Sequence, residues 1–277
     1  MSRNVRAQQA KNTVNNVIPQ ILKTNPRARA GIENTEMINY SPVSEIETEQ
    51  RRASSPIANL PKTSVVQADT LKAAQTFLQN SPPNSRIAVL NMASPFQPGG
   101  FFLDGALAQE EALCSRSTLY AALTQAPKAS TFYPTPPLST IYSPDVLVFR
   151  DESGKNLSES DFFYTDVISA AGICQPQLVL GVQGLRYSEK DRKEMISKVE
   201  GLFEVVKKKG ITHLVLGAWG CGMYGNPPEE VAGIFKAVLL GSKGASTKEE
   251  CQLAEVVFAI FDKGENLRIF EAAFSGV

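Results

Sequence analysis

Arg86-Ile-Ala-Val-Leu-Asn91 leaves through Met92-Ala-Ser-Pro-Phe-Gln-Pro-Gly-Gly-Phe-Phe-Leu-Asp-Gly105 into Ala106-Leu-Ala-Gln-Glu-Glu111. The first piece is a short apolar run without polar alternation, which predicts a strand buried on both faces, as in sheets covered by helices. The second is a glycine-rich loop, and the third opens a helix. The order recurs downstream. Ile211-Thr-His-Leu-Val-Leu216 is a second apolar strand, followed by Gly217-Ala-Trp-Gly-Cys-Gly-Met-Tyr-Gly-Asn226 and a helix opened by Pro227-Pro228.

The flanking sequence extends this alternation. Strands are predicted at 64–67, 146–150, 162–170 and 254–261. Helices are predicted at 70–78 (capped by Asp69 or Thr70), 106–123, 189–209 (ended by Gly210), 227–240 and 265–274. Strands alternating with helices predict an α/β fold, with a mainly parallel or mixed sheet between helical layers. Ahead of it, Arg3, Arg6, Lys11, Lys23, Arg27 and Arg29 occur with no acidic residue up to Ala30, and Val14, Val17, Ile18, Ile21 and Leu22 fall at helical spacing. That predicts an amphipathic helix docked on the main domain, although basic, acid-poor composition also fits a mitochondrial transit segment. Residues 33–61, with Pro42, Pro56 and the charge run 45–52, read as an irregular connector. The expected division is a helical extension and connector over 1–61 and a catalytic domain over 62–277.

The composition excludes several classes of function. Hydrophobic residues at 43% against 20% charged suit a globular chain of 277 residues. The 28 basic and 28 acidic residues cancel, which argues against a protein that grips nucleic acid through its phosphates. No apolar stretch is long enough to span a bilayer. Cys114, Cys174, Cys221 and Cys251 are dispersed and His213 is the only imidazole, so no metal site is expected. Without a secretory signal the thiols are expected to be free, in a reducing compartment. Acid–base work then falls mostly to carboxylates.

Ligands of such sheets bind beyond the carboxyl ends of the strands. Both glycine loops lie there, where backbone N–H groups and a helix N-terminus can cradle a phosphate. Neither carries a Walker A lysine or GxGxxG, so a standard P-loop or dinucleotide site is not supported. A glycine loop alone is also what any turn requires, but two on neighbouring strands can enclose a diphosphate. Gln109-Glu110-Glu111 is the telling triplet. Adjacent helical side chains diverge by about 100°, so these carboxylates do not flank one bond as ordinary glycosidase pairs do. One can bind a hydroxyl while the other donates a proton, its pKa raised by burial and its neighbour's charge.

Pro98–Glu111, with its glycine run and QEE, resembles the signature of poly(ADP-ribose) glycohydrolases, and Gly217–Asn226 resembles that family's second ADP-ribose loop. Ser143-Pro-Asp-Val, Val148-Phe-Arg-Asp151 and the helix start at Asp69 resemble its compact microbial branch. The resemblance covers the chain from about residue 10 onward. It implies a macrodomain-like three-layer α/β/α sandwich that hydrolyses the ribose–ribose bond of poly(ADP-ribose) and releases ADP-ribose without metal or cofactor. By position Glu111 resembles the catalytic acid and Glu110 the partner that holds ribose hydroxyls, with Gln109 shaping the same turn. Asn91 and Ser94 match contacts to the distal ribose or its loop. Gly99 and Gly100 match the diphosphate loop, joined by the backbone of Gly220, Cys221, Gly222, Met223 and Tyr224, with the Tyr224 ring against the ligand. Asp69 resembles the contact to the adenine amino group and Phe261 an adenine stacker. The chain departs from the family at Phe101, which stands where the third glycine belongs; its side chain either points away or reshapes the pocket.

Three classes of function follow: a polymer glycohydrolase, an ADP-ribose reader without turnover, and a hydrolase of mono-ADP-ribosyl substrates. The intact Glu110–Glu111 pair favours an enzyme. His213 and Cys221 allow a thiol nucleophile on paper. A lone histidine on an apolar strand is more simply a core residue, and Cys221 between glycines a small packing residue. Trp219 reads as an anchor. The expected partners are poly(ADP-ribose) or ADP-ribosylated proteins, with no membrane, and the chain is expected to act as a monomer in the nucleus or cytoplasm, with mitochondria kept open by the basic N-terminus.

Overall fold

A computed structural model of the protein describes residues 2–42, 60–181, 184–241 and 253–276. The charge run at 45–52 and Cys251 lie outside these residues. Nine strands are described: β1 (Glu36–Asn39), β2 (Lys62–Val66), β3 (Ile87–Met92), β4 (Ser139–Val148), β5 (Phe163–Ala170), β6 (Leu178–Gly181), β7 (Gly184–Tyr187), β8 (His213–Leu216) and β9 (Glu255–Ala259). Seven form one sheet in the order β1-β4-β5-β3-β8-β9-β2. The block β5-β3-β8-β9-β2 is parallel, and β4 and β1 add antiparallel at one edge. β6 and β7 make a separate hairpin absent from the sequence expectation; each is four residues long and, apart from Tyr187, only partly buried or exposed, without a buried periodic face to read.

The helices are α1 (Arg3–Asn12), α2 (Ile18–Thr24), α3 (Pro26–Glu33), α4 (Thr70–Asn80), α5 (Gln109–Arg116), α6 (Leu119–Gln125), α7 (Glu189–Lys208), α8 (Pro228–Gly241) and α9 (Glu265–Phe274); a π-helical turn, Thr13–Val17, joins α1 to α2. β3 shows why three layers form. Its alternate residues Ala88 and Leu90 pack with Leu202 of α7, Phe235 of α8 and Phe270 of α9. Ile87 and Val89 face the other way, with Leu71 and Phe77 of α4, Leu113 of α5 and Leu119 of α6. A strand buried on both faces needs apolar residues in both registers, which is the pattern of 86–91. The expected sandwich and mixed sheet are present.

Several boundaries differ from the sequence reading. The strand expected over 146–150 is the end of β4, which begins seven residues earlier at Ser139. The helix expected over 106–123 is two, with a break at Ser117-Thr118. Ser117 is extended and bridges Val148, while the Thr118 hydroxyl accepts the Leu147 N–H at 3.0 Å, so this turn joins the edge of β4 instead of continuing the helix. Hydroxyl side chains that satisfy backbone groups compete with helix in this way. The start also moves from residue 106 to Gln109, because Gly105 is left-handed at φ +73°. Within the stretch read as irregular, Glu36–Asn39 pairs with Tyr142–Ser139 of β4. Four residues are too few to show alternation. Where one docked amphipathic helix was expected, α1–α3 form, and they do pack on the domain, with Ile18, Ala28 and Ile32 against Ala121, Ala122, Leu147 and Phe149.

Candidate active site

The carboxyl ends of β2, β3, β8 and β9 deliver their loops to one edge of the sheet. α5 begins there. Gln109, its first residue, extends the hydrogen bonding of β3: its Oε1 accepts from Met92 N at 2.9 Å and its Nε2 donates to Leu90 O at 2.6 Å and Thr70 Oγ1 at 3.3 Å. The glutamine thus seats the helix on the strand end and aims the two residues that follow. Both glutamates are buried.

Glu111 is held entirely by backbone amides. Its Oε1 accepts from Phe101 N at 3.0 Å and its Oε2 from Ala108 N at 3.2 Å, the latter closing the first turn as a capping glutamate does. Glu110 turns toward β3. Its Oε2 accepts from Ser94 N at 2.7 Å and its Oε1 from Asn91 Nδ2 at 3.3 Å, and Asn91 Nδ2 also reaches Ser169 Oγ at 3.0 Å. Burial, opposed in part by these hydrogen bonds and reinforced by the neighbouring carboxylate, pushes the Glu110 carboxyl up to about 8. Near neutrality Glu110 therefore carries its proton for much of the time.

The two side chains diverge along the helix yet meet over one backbone. A Cβ placed on Gly100 (φ +56°) would lie 2.8 Å from Glu111 Oε1 and 3.1 Å from Glu110 Oε2. Only glycine adopts this φ freely and leaves room for both carboxylates. The next residue, Phe101, has φ −99°, so its backbone does not require glycine, and its side chain is 59% exposed. Phe102, in contrast, is buried against Tyr120, with ring centroids 5.4 Å apart. The departure at the third glycine position is thus accommodated with the Phe101 ring directed to solvent and its amide still on Glu111.

The N-terminal extension braces this loop. Arg3 Nε donates to Asp104 O at 3.0 Å and Arg6 Nε to Gly105 O at 2.8 Å. A Cβ on Gly105 would fall on the Arg3 carbonyl oxygen and lie 2.7 Å from Ala7 N, so glycine is what lets α1 close on the turn. Sequence reading missed this contact because nothing in the spacing of Arg3 and Arg6 points to residues a hundred positions away.

The second loop is joined to the first. Tyr224 OH donates to Ala93 O at 3.5 Å. Asn226 fixes the loop's shape: its Nδ2 donates to Gly220 O at 3.0 Å and Ile173 O at 2.8 Å, and its Oδ1 accepts from Tyr187 OH at 2.6 Å. Trp219 is an anchor, buried with its Nε1 donating to Ala170 O at 3.2 Å. Cys221 lies in this loop with its thiol pushed up to about 12 by burial, which leaves it protonated and a poor nucleophile. Gly222 and Met223 are exposed at the loop's outer side.

Asp69 caps α4, accepting from Leu71 N at 3.0 Å and Lys72 N at 3.1 Å, and its other oxygen pairs with buried Arg116 at 2.8 Å. Arg116 ends α5, so the pair ties α5 to α4. Phe261 is exposed just beyond β9. His213 opens β8 at the opposite end of the strand from the loops; it is buried, with Thr212 Oγ1 2.9 Å from its Nδ1 and the Phe77 ring edge-on at 5.1 Å. It is a core residue. Asn91, Ser94, Gly99, Gly100, Phe101, Gln109, Glu110 and Glu111 thus form one cluster, Tyr224 joins it through Ala93, and Asp69 connects through Arg116. Sequence reading missed Arg116 and Tyr133 and named Asn226 only as the end of the second loop; the Tyr133 hydroxyl is buried without a hydrogen-bond partner, and its pKa is raised by burial and by Glu110.

A three-layer α/β/α sandwich with two loops at its strand ends and a buried acidic pair on the first turn of a helix defines a macrodomain-like hydrolase. The chain belongs to the microbial-type poly(ADP-ribose) glycohydrolase (PARG) family, whose catalytic-domain model matches residues 10–151, a span that contains the first loop and both glutamates. Solved structures extend the likeness over nearly the whole chain. The poly(ADP-ribose) glycohydrolase of Thermomonospora curvata is 28% identical with a TM-score of 0.74, covering 98% of each chain. Its complex with the inhibitor ADP-HPD is 27% identical, with a TM-score of 0.71 and 98% of each chain covered. The Deinococcus radiodurans enzyme in complex with ADP-ribose is 28% identical with a TM-score of 0.69, covering 91% of this chain and 98% of that one. No curated protein matches the chain.

Proposed function

We propose that this glycohydrolase cleaves the ribose–ribose O-glycosidic bond of poly(ADP-ribose), with Glu111 as the acid/base and ADP-ribose as the product. The observation that carries the reading is the convergence of Glu110 and Glu111 on Gly100 in the glycine loop. A diphosphate lying along the amides of the two loops brings its distal ribose to the mouth of α5. Glu111 protonates the departing ribose oxygen as positive charge develops at the anomeric carbon, and the resulting carboxylate takes a proton from the attacking water. Glu110, neutral for much of the time, offers a hydrogen bond to a ribose hydroxyl without adding a second negative charge. Asp69 and Phe261 serve the adenine, and a monomer suffices for the site.

One observation favours a second reading, in which Glu110 is the proton donor: its carboxyl is held near 8 by burial. The pH dependence of polymer hydrolysis in Glu110→Gln and Glu111→Gln separates the two. Glu111→Gln is expected to lose turnover at every pH, while Glu110→Gln keeps measurable turnover and loses the ionisation near pH 8. Loss of turnover only in Glu110→Gln would reverse the roles.

A further inference from the structure

Of the 14 phenylalanines, three are exposed, namely Phe96 at 69%, Phe101 at 59% and Phe261 at 75%. All three lie in loops that leave the carboxyl ends of parallel strands. Exposed apolar side chains gathered at one edge of a fold mark a contact surface. Phe261 follows β9, on the side of Asp69, whereas Phe96 and Phe101 belong to the loop after β3 that carries the carboxylates.

Each of these two rings is tied to a carboxylate through backbone. Phe101 N donates to Glu111 Oε1 at 3.0 Å. Phe96 N donates to Ser94 Oγ at 3.2 Å, and Ser94 N holds Glu110 Oε2 at 2.7 Å. Burial of Phe102 fixes the turn that sends the Phe101 side chain outward. In the pose proposed above, ADP-ribose would run from Asp69 and Phe261 across the loops to Glu111, and the two rings tied through backbone to the carboxylates would lie on the leaving-group side of the bond to be cut. In the polymer that bond joins the distal ribose to a hydroxyl of an adenosine in the next unit. The leaving group therefore carries an adenine one ribose away from the oxygen that Glu111 protonates. Aromatic side chains stack on base faces without needing hydrogen-bond readout.

We propose that Phe101, with Phe96 in the same loop, forms a stacking subsite for the adenine of the leaving unit, so that the site selects polymer and oligomer over a single ADP-ribosyl group. The inference rests on the hydrolysis proposed above, and its test is read through binding so that the two stand or fall separately. In the Glu111→Gln background, calorimetry compares affinity for a two-unit ADP-ribose oligomer with affinity for ADP-ribose. Phe101→Ala should weaken the oligomer about tenfold, the scale of one lost base–aromatic stack, and shift ADP-ribose by less than about twofold. Phe101→Trp should restore oligomer affinity. With Glu111 intact, Phe101→Ala should raise KM for the polymer by a similar factor. Unchanged oligomer affinity, or equal weakening of both ligands, would overturn the subsite. Absence of ADP-ribose release by the wild type would overturn the hydrolysis alone, because the affinity ratio is measured independently of turnover.

Discussion

Gly100→Ala separates the cost to the fold from the cost to the chemistry. The new methyl would stand 2.8 Å from Glu111 Oε1 and 3.1 Å from Glu110 Oε2, where ordinary contact begins at 3.4 Å, so Glu111 must withdraw by about 0.6 Å. Both contacts are the far ends of flexible side chains, and moving them costs the fold little. The backbone term is the left-handed φ of +56°, worth about 1–2 kcal/mol for a non-glycine residue. The total destabilisation is then about 2 kcal/mol, which for a chain of this size lowers Tm by roughly 3–4 °C. Turnover should suffer far more. Misplacing a catalytic group by about an ångström costs on the order of 100-fold, and here both carboxylates are displaced together. The assay is ADP-ribose release from purified polymer under saturating substrate, with Tm measured on the same sample. A variant that keeps kcat within threefold of wild type would refute the claim that the acid works from its position against Gly100. A variant that fails to fold would refute the stability estimate.

Other substitutions follow from the same geometry. Between pH about 4.5 and about 8 the folded state holds the Glu110 proton and the unfolded chain has released it, so stability should fall as pH rises through this window, by at most roughly 5 kcal/mol. Glu110→Gln removes the titration, and urea unfolding at pH 5 to 9 should show a flatter profile; an identical slope in the variant would contradict the assignment. Asp69→Ala deletes a helix cap and strands Arg116, whose side chain is only 8% exposed, which predicts a loss of about 3–5 kcal/mol. Asp69→Asn retains the cap acceptor and should recover part of that loss, while calorimetry reports whether adenine affinity falls with it.

Features encoded within one short stretch of sequence were legible in it. The run 86–91 and the helices at 189–209 and 265–274 were legible because each buries a periodic face within its own length. The acidic pair could be found because the loop, helix start and glutamates are contiguous. What the sequence could not supply were the long-range contacts. Arg6 reaches Gly105 and Arg116 reaches Asp69 across separations no local pattern encodes. Residues 36–39 acquire their strand from β4, and the break at Ser117 exists because β4 lies beside it. The orientation of Phe101 was equally hidden, since it follows from the burial of Phe102 against Tyr120.

The most direct test is release of ADP-ribose from purified poly(ADP-ribose) by the wild type beside Glu111→Gln, with ADP-ribose affinity measured for both. Release by the wild type is expected, with a loss of about 1,000-fold in the variant, within the range a general acid/base contributes, and affinities within threefold of each other. Equal release by both proteins would contradict the assignment of Glu111, and binding without release by the wild type would contradict the enzyme.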